Sequence, residues 1–463
     1  MKKIGTLRHH ASGEIERSKI SIGFECLDRE LFKPEPCYDP LCEAGAKHAR
    51  CQTGWARCER ERGIYDFSWL DTVVDNLRAR GIAVWFNVGY GNPLYMKNIP
   101  NKTGVGCVPL FFGEECLAAW KNYVSALAAH FAGRVQLFEI WNEPEADHFW
   151  YPEAPDPEKY ATLFRITAAE IQKHIPDAKF AATVASGFDF GFIRGMLTAM
   201  RGLPMDFFSF HAHSKYPEIS FGRGQRYLEN VKLLRALLDG AGFEKTELIQ
   251  GEAGQPSWAP KGHWLYKDGF DDPRAQAVWL LRRFVLDHYA NVAITSFFMI
   301  ADIWEKPYET ATQTLPRAQA NGILNGLVYT KKPSYEAFSH IASVFHGDIR
   351  KTDAYFTAEH ATADPCETEA TLTLSFEKNG MPMHVYYLPS APTEKCRCEN
   401  AVSVYLSKAL REPVLIDLLS GEVFALPESD SYQSLAAYKD LPLANYPMLL
   451  TERSAIEIDT AFV

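Results

Sequence analysis

Long apolar runs are missing from this chain. No stretch approaches the ~20 consecutive apolar residues that a membrane helix requires. The N-terminal MKKIGTLRHHASGEIERSK carries two lysines with no apolar segment behind them, so it does not read as a signal peptide. The expected protein is soluble and cytoplasmic, with no membrane partner. Positive charge is also in short supply. The formal net charge is -10 and no basic stripe interrupts it, which argues against a nucleic-acid partner. A glycine-rich phosphate turn after an early strand is absent too, and with it the signature of nucleotide-binding open sheets.

Paired cysteine spacing is the next absence. Ten cysteines are scattered along the 463 residues. Cys37, Cys42, His48 and Cys51 lie close together but lack the C-x2-C pairs of a zinc site, and Cys396 with Cys398 are spaced worse. In a large cytosolic chain such residues are expected as reduced thiols. No metal or other cofactor is expected.

What is present is ordinary globular composition, 47% hydrophobic and 23% charged, in a chain too long for one core. Between residues 20 and 345, apolar runs alternate with amphipathic helices: 21–25, 49–52, 82–88, 135–141, 179–185, 206–212, 247–253 and 293–300. After Tyr65, Ser68 and Asp71 give an S-x-x-D capping signal, Leu70, Val73, Val74 and Leu77 keep one helical face, and Gly81 stops the helix. Eight strand–helix units in series predict a parallel (β/α)8 barrel, an α/β fold. From about residue 350 helices disappear. The runs 370–376, 383–388, 401–406, 413–419, 422–426 and 455–459 then predict a β-sandwich. The expected domains are 1–345, a catalytic barrel with an N-terminal extension, and 346–463, the sandwich.

In such a barrel, side chains just past the C-terminal strand ends share one mouth. These are Glu25, Arg50 and Gln52, then Tyr90 and Asn92, Asn142 and Glu143, His211 and His213, Glu252, and finally Asp302 and Trp304. The fourth strand ends in "LFEIWNEPE" (137–145), where Pro144 lacks the N–H that would continue the ladder. Glu143 is therefore held where a rigid element meets a loop, and Glu252 occupies the matching place on strand seven. Glycosidic bond cleavage needs two carboxyl groups flanking the bond, one to protonate the leaving oxygen and one to attack or to activate water. Glu139 reads as a paired interior acid and Glu145 as a structural acid of the loop. Trp258 and Trp304 fit either the core or a stack against a sugar ring.

The "WNEPE" of strand four and the "LIQGEAG" of strand seven resemble glycoside hydrolase clan A, the retaining (β/α)8 barrel enzymes. "YDFSWLD" and "GYGNPLY" are similar to members of families 39 and 42, and family 39 includes β-xylosidases and α-L-iduronidases. The resemblance implies Glu143 as acid/base, Glu252 as nucleophile, Asn142 on the substrate 2-hydroxyl and Arg50 on the nucleophile. It departs at strand six. Many clan members place a tyrosine near the nucleophile, whereas this chain reads "FHAHSKY" and leaves His211, His213 and Tyr216 as alternatives.

The function expected is a retaining exo-acting β-glycosidase that removes terminal sugars from oligosaccharides. An endo-acting glycanase, a transglycosidase and a non-catalytic carbohydrate-binding protein are the alternatives. The expected partner is a glycoside or oligosaccharide, and a homo-oligomer is left open. The charge on Glu252 is expected to raise the pKa of Glu143 in the free enzyme.

Overall fold

The computed structural model describes residues 1–185, 188–219, 226–304, 306–315, 319–360 and 370–460. Eight parallel strands close on themselves in chain order: Ile20–Gly23, His48–Gln52, Ala83–Val88, Leu137–Ile140, Lys179–Val184, Phe207–His211, Glu247–Ala253 and Ile294–Phe297. Each is followed by a helix on the outside, from the short Tyr38–Glu43 of the first unit to Pro333–Val344 of the eighth. This is the α/β barrel that the alternation predicts.

Local chemistry sets the helix ends. The second barrel helix, Ser68–Ala79, buries Leu70, Val73, Val74 and Leu77. Its start differs from the expected Ser68–Asp71 cap. Ser68 is already helical, no side chain caps Phe67, and the Ser68 N–H donates to Asp66 Oδ1 at 2.9 Å. At the other end Gly81 takes φ 77°, the left-handed turn that ends a helix at little cost to glycine. Helix four, Pro157–Gln172, and helix seven, Pro273–Tyr289, both begin with a capping aspartate followed by proline.

Beyond the barrel lie two antiparallel sheets, one of eight strands and one of four. Tyr386, Leu415, Met448 and Leu450 of the first share a core with Val402, Val404, Leu441 and Leu443 of the second, which makes a β-sandwich. Sequence periodicity did not single out Leu435–Ala444, whose Lys439, Asp440 and Pro442 break the alternation. Asp440 sits at φ 55°, where the pairing with Arg397–Leu406 shifts register. We propose the two units that the sequence suggests, with one amendment. Residues 2–7 are not an appendage of the barrel; they form a strand of the large sheet, paired with Glu422–Ala425 and with Ile458–Asp459. One apolar core runs from the barrel helices into that sheet through Phe345, Phe376 and Val414. Among the described residues, no helix is long and apolar enough to cross a membrane.

Candidate active site

The strand-four turn is built under constraint. Trp141 and Glu143 take left-handed backbone at φ 69° and 44°, a region that costs non-glycine residues energy unless the surroundings hold them there. Here they do. The Trp141 N–H donates to the Val88 carbonyl at 3.0 Å and its Nε1 to the Phe149 carbonyl at 2.8 Å. Its ring is packed edge-on against Trp120 and Trp150. Asn142 and Glu143 are thereby aimed into the barrel mouth.

Strand seven delivers the partner by a bulge. Phe210 pairs with Gln250 but His211 pairs with Glu252, so Gly251 is the extra residue and Glu252 is turned toward the axis. A Cβ at Gly251 would meet Ser209 Oγ at 2.1 Å, so only glycine fits. One carboxylate oxygen each from Glu143 and Glu252, with a ring nitrogen of His211, all lie within 4.8 Å of one another.

Arg50 organises the floor. It is fully buried and meets three carboxylates: Glu139 at 2.6 Å, Glu25 at 2.9 Å and Glu252 at 3.2 Å. Its Nη2 also donates to Asn142 Oδ1 at 2.8 Å. One guanidinium fork thus fixes the amide of strand four and the carboxylate of strand seven together. Burial alone would raise the pKa of Glu139, but the Arg50 charge and His211 outweigh it and hold Glu139 at about 2. Glu25 is different, and burial lifts it to about 8 against the pull of Arg50.

Two histidines complete the set. His211 Nδ1 is 2.7 Å from Glu143 Oε1 and 3.8 Å from Glu252 Oε2. His213 Nε2 is 3.2 Å from Glu252 Oε1. Of the three strand-six alternatives, His213 is therefore the one hydrogen-bonded to Glu252. Burial would lower the pKa of His211, but hydrogen bonds to Glu139 and Glu143 and the Glu252 charge raise it to about 10. The Glu143 carboxyl stands below its usual range. Burial pushes it up, yet hydrogen bonds and charges from His148 and His211 prevail. This corrects the expectation that Glu252 would raise Glu143: the hydrogen bonds and charges of His148 and His211 set the direction instead. Glu252 is lowered as well, mainly by its His213 hydrogen bond working against burial.

The other expected residues divide. Trp258 and Trp304 sit beside each other with ring centroids 5.7 Å apart, and Trp304 Nε1 donates to Asp302. Tyr90 is buried between Trp141 and Phe149 and accepts from Gln52 Nε2 at 3.1 Å. Asn92 uses both ends of its amide on the loop, donating to the Glu59 carbonyl and accepting from the Leu94 N–H. Tyr90 and Asn92 thus spend these polar groups on protein partners. His148, whose Nε2 lies 3.8 Å from Glu143, was not foreseen. It comes from a single 3-10 turn, Asp147–Phe149, too short for periodicity to mark it. None of the nine described cysteines belongs to a potential metal cluster among the described residues, and Cys366 lies outside them. A separate cavity of about 630 Å³, lined by Glu229, Lys232, Arg235 and Glu247, opens at the N-terminal end of strand seven, away from these carboxylates.

The family model for glycosyl hydrolases family 39 matches residues 52–363. A β-xylosidase of Geobacillus stearothermophilus is 24% identical over 206 residues, 39% of this chain and 39% of the relative, so the match spans well under half of that protein. Among solved structures, a family 39 glycoside hydrolase from Bacteroides cellulosilyticus is similar over 95% of this chain and 81% of its own, with TM-score 0.67 and 17% identity. A family 39 β-xylosidase from Caulobacter crescentus is similar over 96% and 97%, with TM-score 0.59 and 17% identity. At those identities the likeness concerns the fold.

Proposed function

The chain belongs to family 39 of the glycosyl hydrolases, and from that membership and its paired glutamates we propose that it is a retaining, exo-acting β-glycosidase. The observation that carries the proposal is the approach of Glu143 and Glu252 to within 4.8 Å. Retaining enzymes hold their two carboxyl groups about 5–5.5 Å apart, whereas inverting enzymes need about 6.5–9.5 Å to admit a water.

In the proposed cycle the Glu252 carboxylate attacks the anomeric carbon as the glycosidic C–O bond breaks. The leaving oxygen takes a proton from Glu143. The resulting glycosyl ester on Glu252 is then hydrolysed by a water whose proton passes back to Glu143. Because His211 is the more basic partner, the pair acts as one proton store, with His211 resupplying Glu143 across 2.7 Å. Arg50 and His213 keep Glu252 ionised and aimed, which a nucleophile requires. Asn142, fixed by Arg50, is placed to meet the sugar 2-hydroxyl, and Trp258 and Trp304 supply apolar surface for a ring. Trp264 packs edge-on at 6.1 Å from the His213 ring and crowds this side of the mouth, which suits a single terminal sugar better than a polymer.

Two similar proteins carry the name β-xylosidase, so a terminal β-xylosyl residue is the first substrate to test. A screen of nitrophenyl glycosides at neutral pH identifies the sugar. Product sizing on the matching oligosaccharide should then give monosaccharide from the first turnover. Internal fragments would establish an endo-acting glycanase, longer products a transglycosidase, and binding without turnover a carbohydrate-binding protein.

A further inference from the structure

A second cluster of ligating side chains lies outside the mouth. His9 follows the N-terminal strand, while Glu336 and His340 are four apart on the eighth barrel helix, Pro333–Val344, and so share one of its faces. One ligand atom from each lies within 4.8 Å of the others. The rings of His9 and His340 are 5.1 Å apart and inclined at 62°.

The arrangement is built from below. His340 is 7% exposed, and its Nδ1 donates to the Leu418 carbonyl of the sandwich at 3.1 Å. That bond fixes the tautomer and leaves Nε2 with its lone pair, the device by which proteins orient a metal-binding histidine. Gly421 packs against the His340 ring, where a Cβ would come within 2.4 Å of Nε2, and its φ of 74° already favours glycine. His9 and Glu336 are at the surface and give an entry route. The neighbouring Lys331 is paired with Glu43 at 2.9 Å.

We infer that His9, Glu336 and His340 bind a divalent transition-metal ion, zinc by the nature of the ligands, and so pin the N-terminal segment to the last barrel helix. Two imidazoles and a carboxylate with a water in the fourth position are an ordinary zinc set. Tetrahedral zinc holds its ligand atoms about 3.4 Å apart, given bonds near 2.0–2.1 Å. Closing from 4.8 Å asks only for rotation of the exposed His9 and Glu336 side chains. The ion would be structural, since it sits away from both glutamates of the mouth.

The test uses the full chain, stripped with EDTA and titrated calorimetrically with zinc chloride. The expected result is one equivalent bound, with His9→Ala and Glu336→Gln each weakening affinity at least 10-fold while turnover of a nitrophenyl glycoside is unchanged. At zinc 100-fold above Kd the unfolding midpoint should rise by about 2–3 °C, and this rise should vanish in both variants. His340 is left intact because it also holds Leu418. Absence of binding would overturn the inference. So would binding that both variants retain, or binding that stops turnover in proportion to occupancy, which would put the ion on Glu143, His211 and Glu252.

Discussion

His211 Nδ1 and Glu143 Oε1 lie 2.7 Å apart, and the histidine is wholly shut off from water. The proton that glycoside cleavage needs is therefore held between two groups. With His211 raised to about 10 and Glu252 lowered, the active form has the pair protonated and Glu252 ionised. It is lost as pH falls and Glu252 takes a proton, and lost as pH rises and the pair gives its own up. The pH profile should be bell-shaped, with a basic limb well above the carboxyl range. His211→Asn should move that limb to lower pH and slow poor leaving groups by about 10²–10³-fold. An unchanged limb would mean that Glu143 holds its proton alone.

Glu143→Ala should slow substrates with poor leaving groups severely, while dinitrophenyl glycosides, which need little acid help, still form their intermediate and accumulate it. Glu145→Ala should leave both behaviours nearly intact. Glu145 accepts a hydrogen bond from the Ala185 N–H, and its pKa of about 8 is raised by burial first and by the Glu143 charge second. Pre-steady-state bursts measured on both variants decide which carboxyl acts.

Glu252→Ala should abolish turnover, and added azide should then enter from the vacated face to give an α-glycosyl azide from a β-glycoside. Proton NMR of the product identifies the anomer. A β-glycosyl azide would reverse the two roles.

The sandwich should prove inseparable from the barrel. Arg282, on the seventh barrel helix, is fully buried and bonded to Glu218 and to the carbonyl of Ser390, while Tyr387 also donates to Glu218. Removing one member of such a buried pair costs about 3–5 kcal/mol, so Arg282→Ala should lower the denaturant midpoint markedly. Deleting residues 350–463 should give insoluble protein, because it uncovers Phe345 and strips the first strand of its partners. A soluble, fully active barrel would contradict this.

The barrel, Glu143 and Glu252 were legible because strand periodicity fixes where each strand ends, and a barrel turns strand ends into one mouth. Lys2–Leu7 was not, since its partner strands lie more than 400 residues away and six mixed residues carry no pattern alone. Asn92 lies past a strand end like the others, but its loop folds back and takes up its amide. The protonation of Glu143 differs from the expectation for a similar reason. The charge of Glu252 is visible in sequence, while His148 and His211 act through distances that only the fold sets.

In the proposed mechanism Glu252 attacks the sugar and carries it as a covalent ester. The most direct measurement is to inactivate the enzyme with a dinitrophenyl 2-deoxy-2-fluoro-glycoside of the preferred sugar, digest it and locate the added mass by tandem mass spectrometry. One equivalent of glycosyl label should appear on Glu252. Label on Glu143 or elsewhere, or complete turnover with no trapped ester, would contradict it.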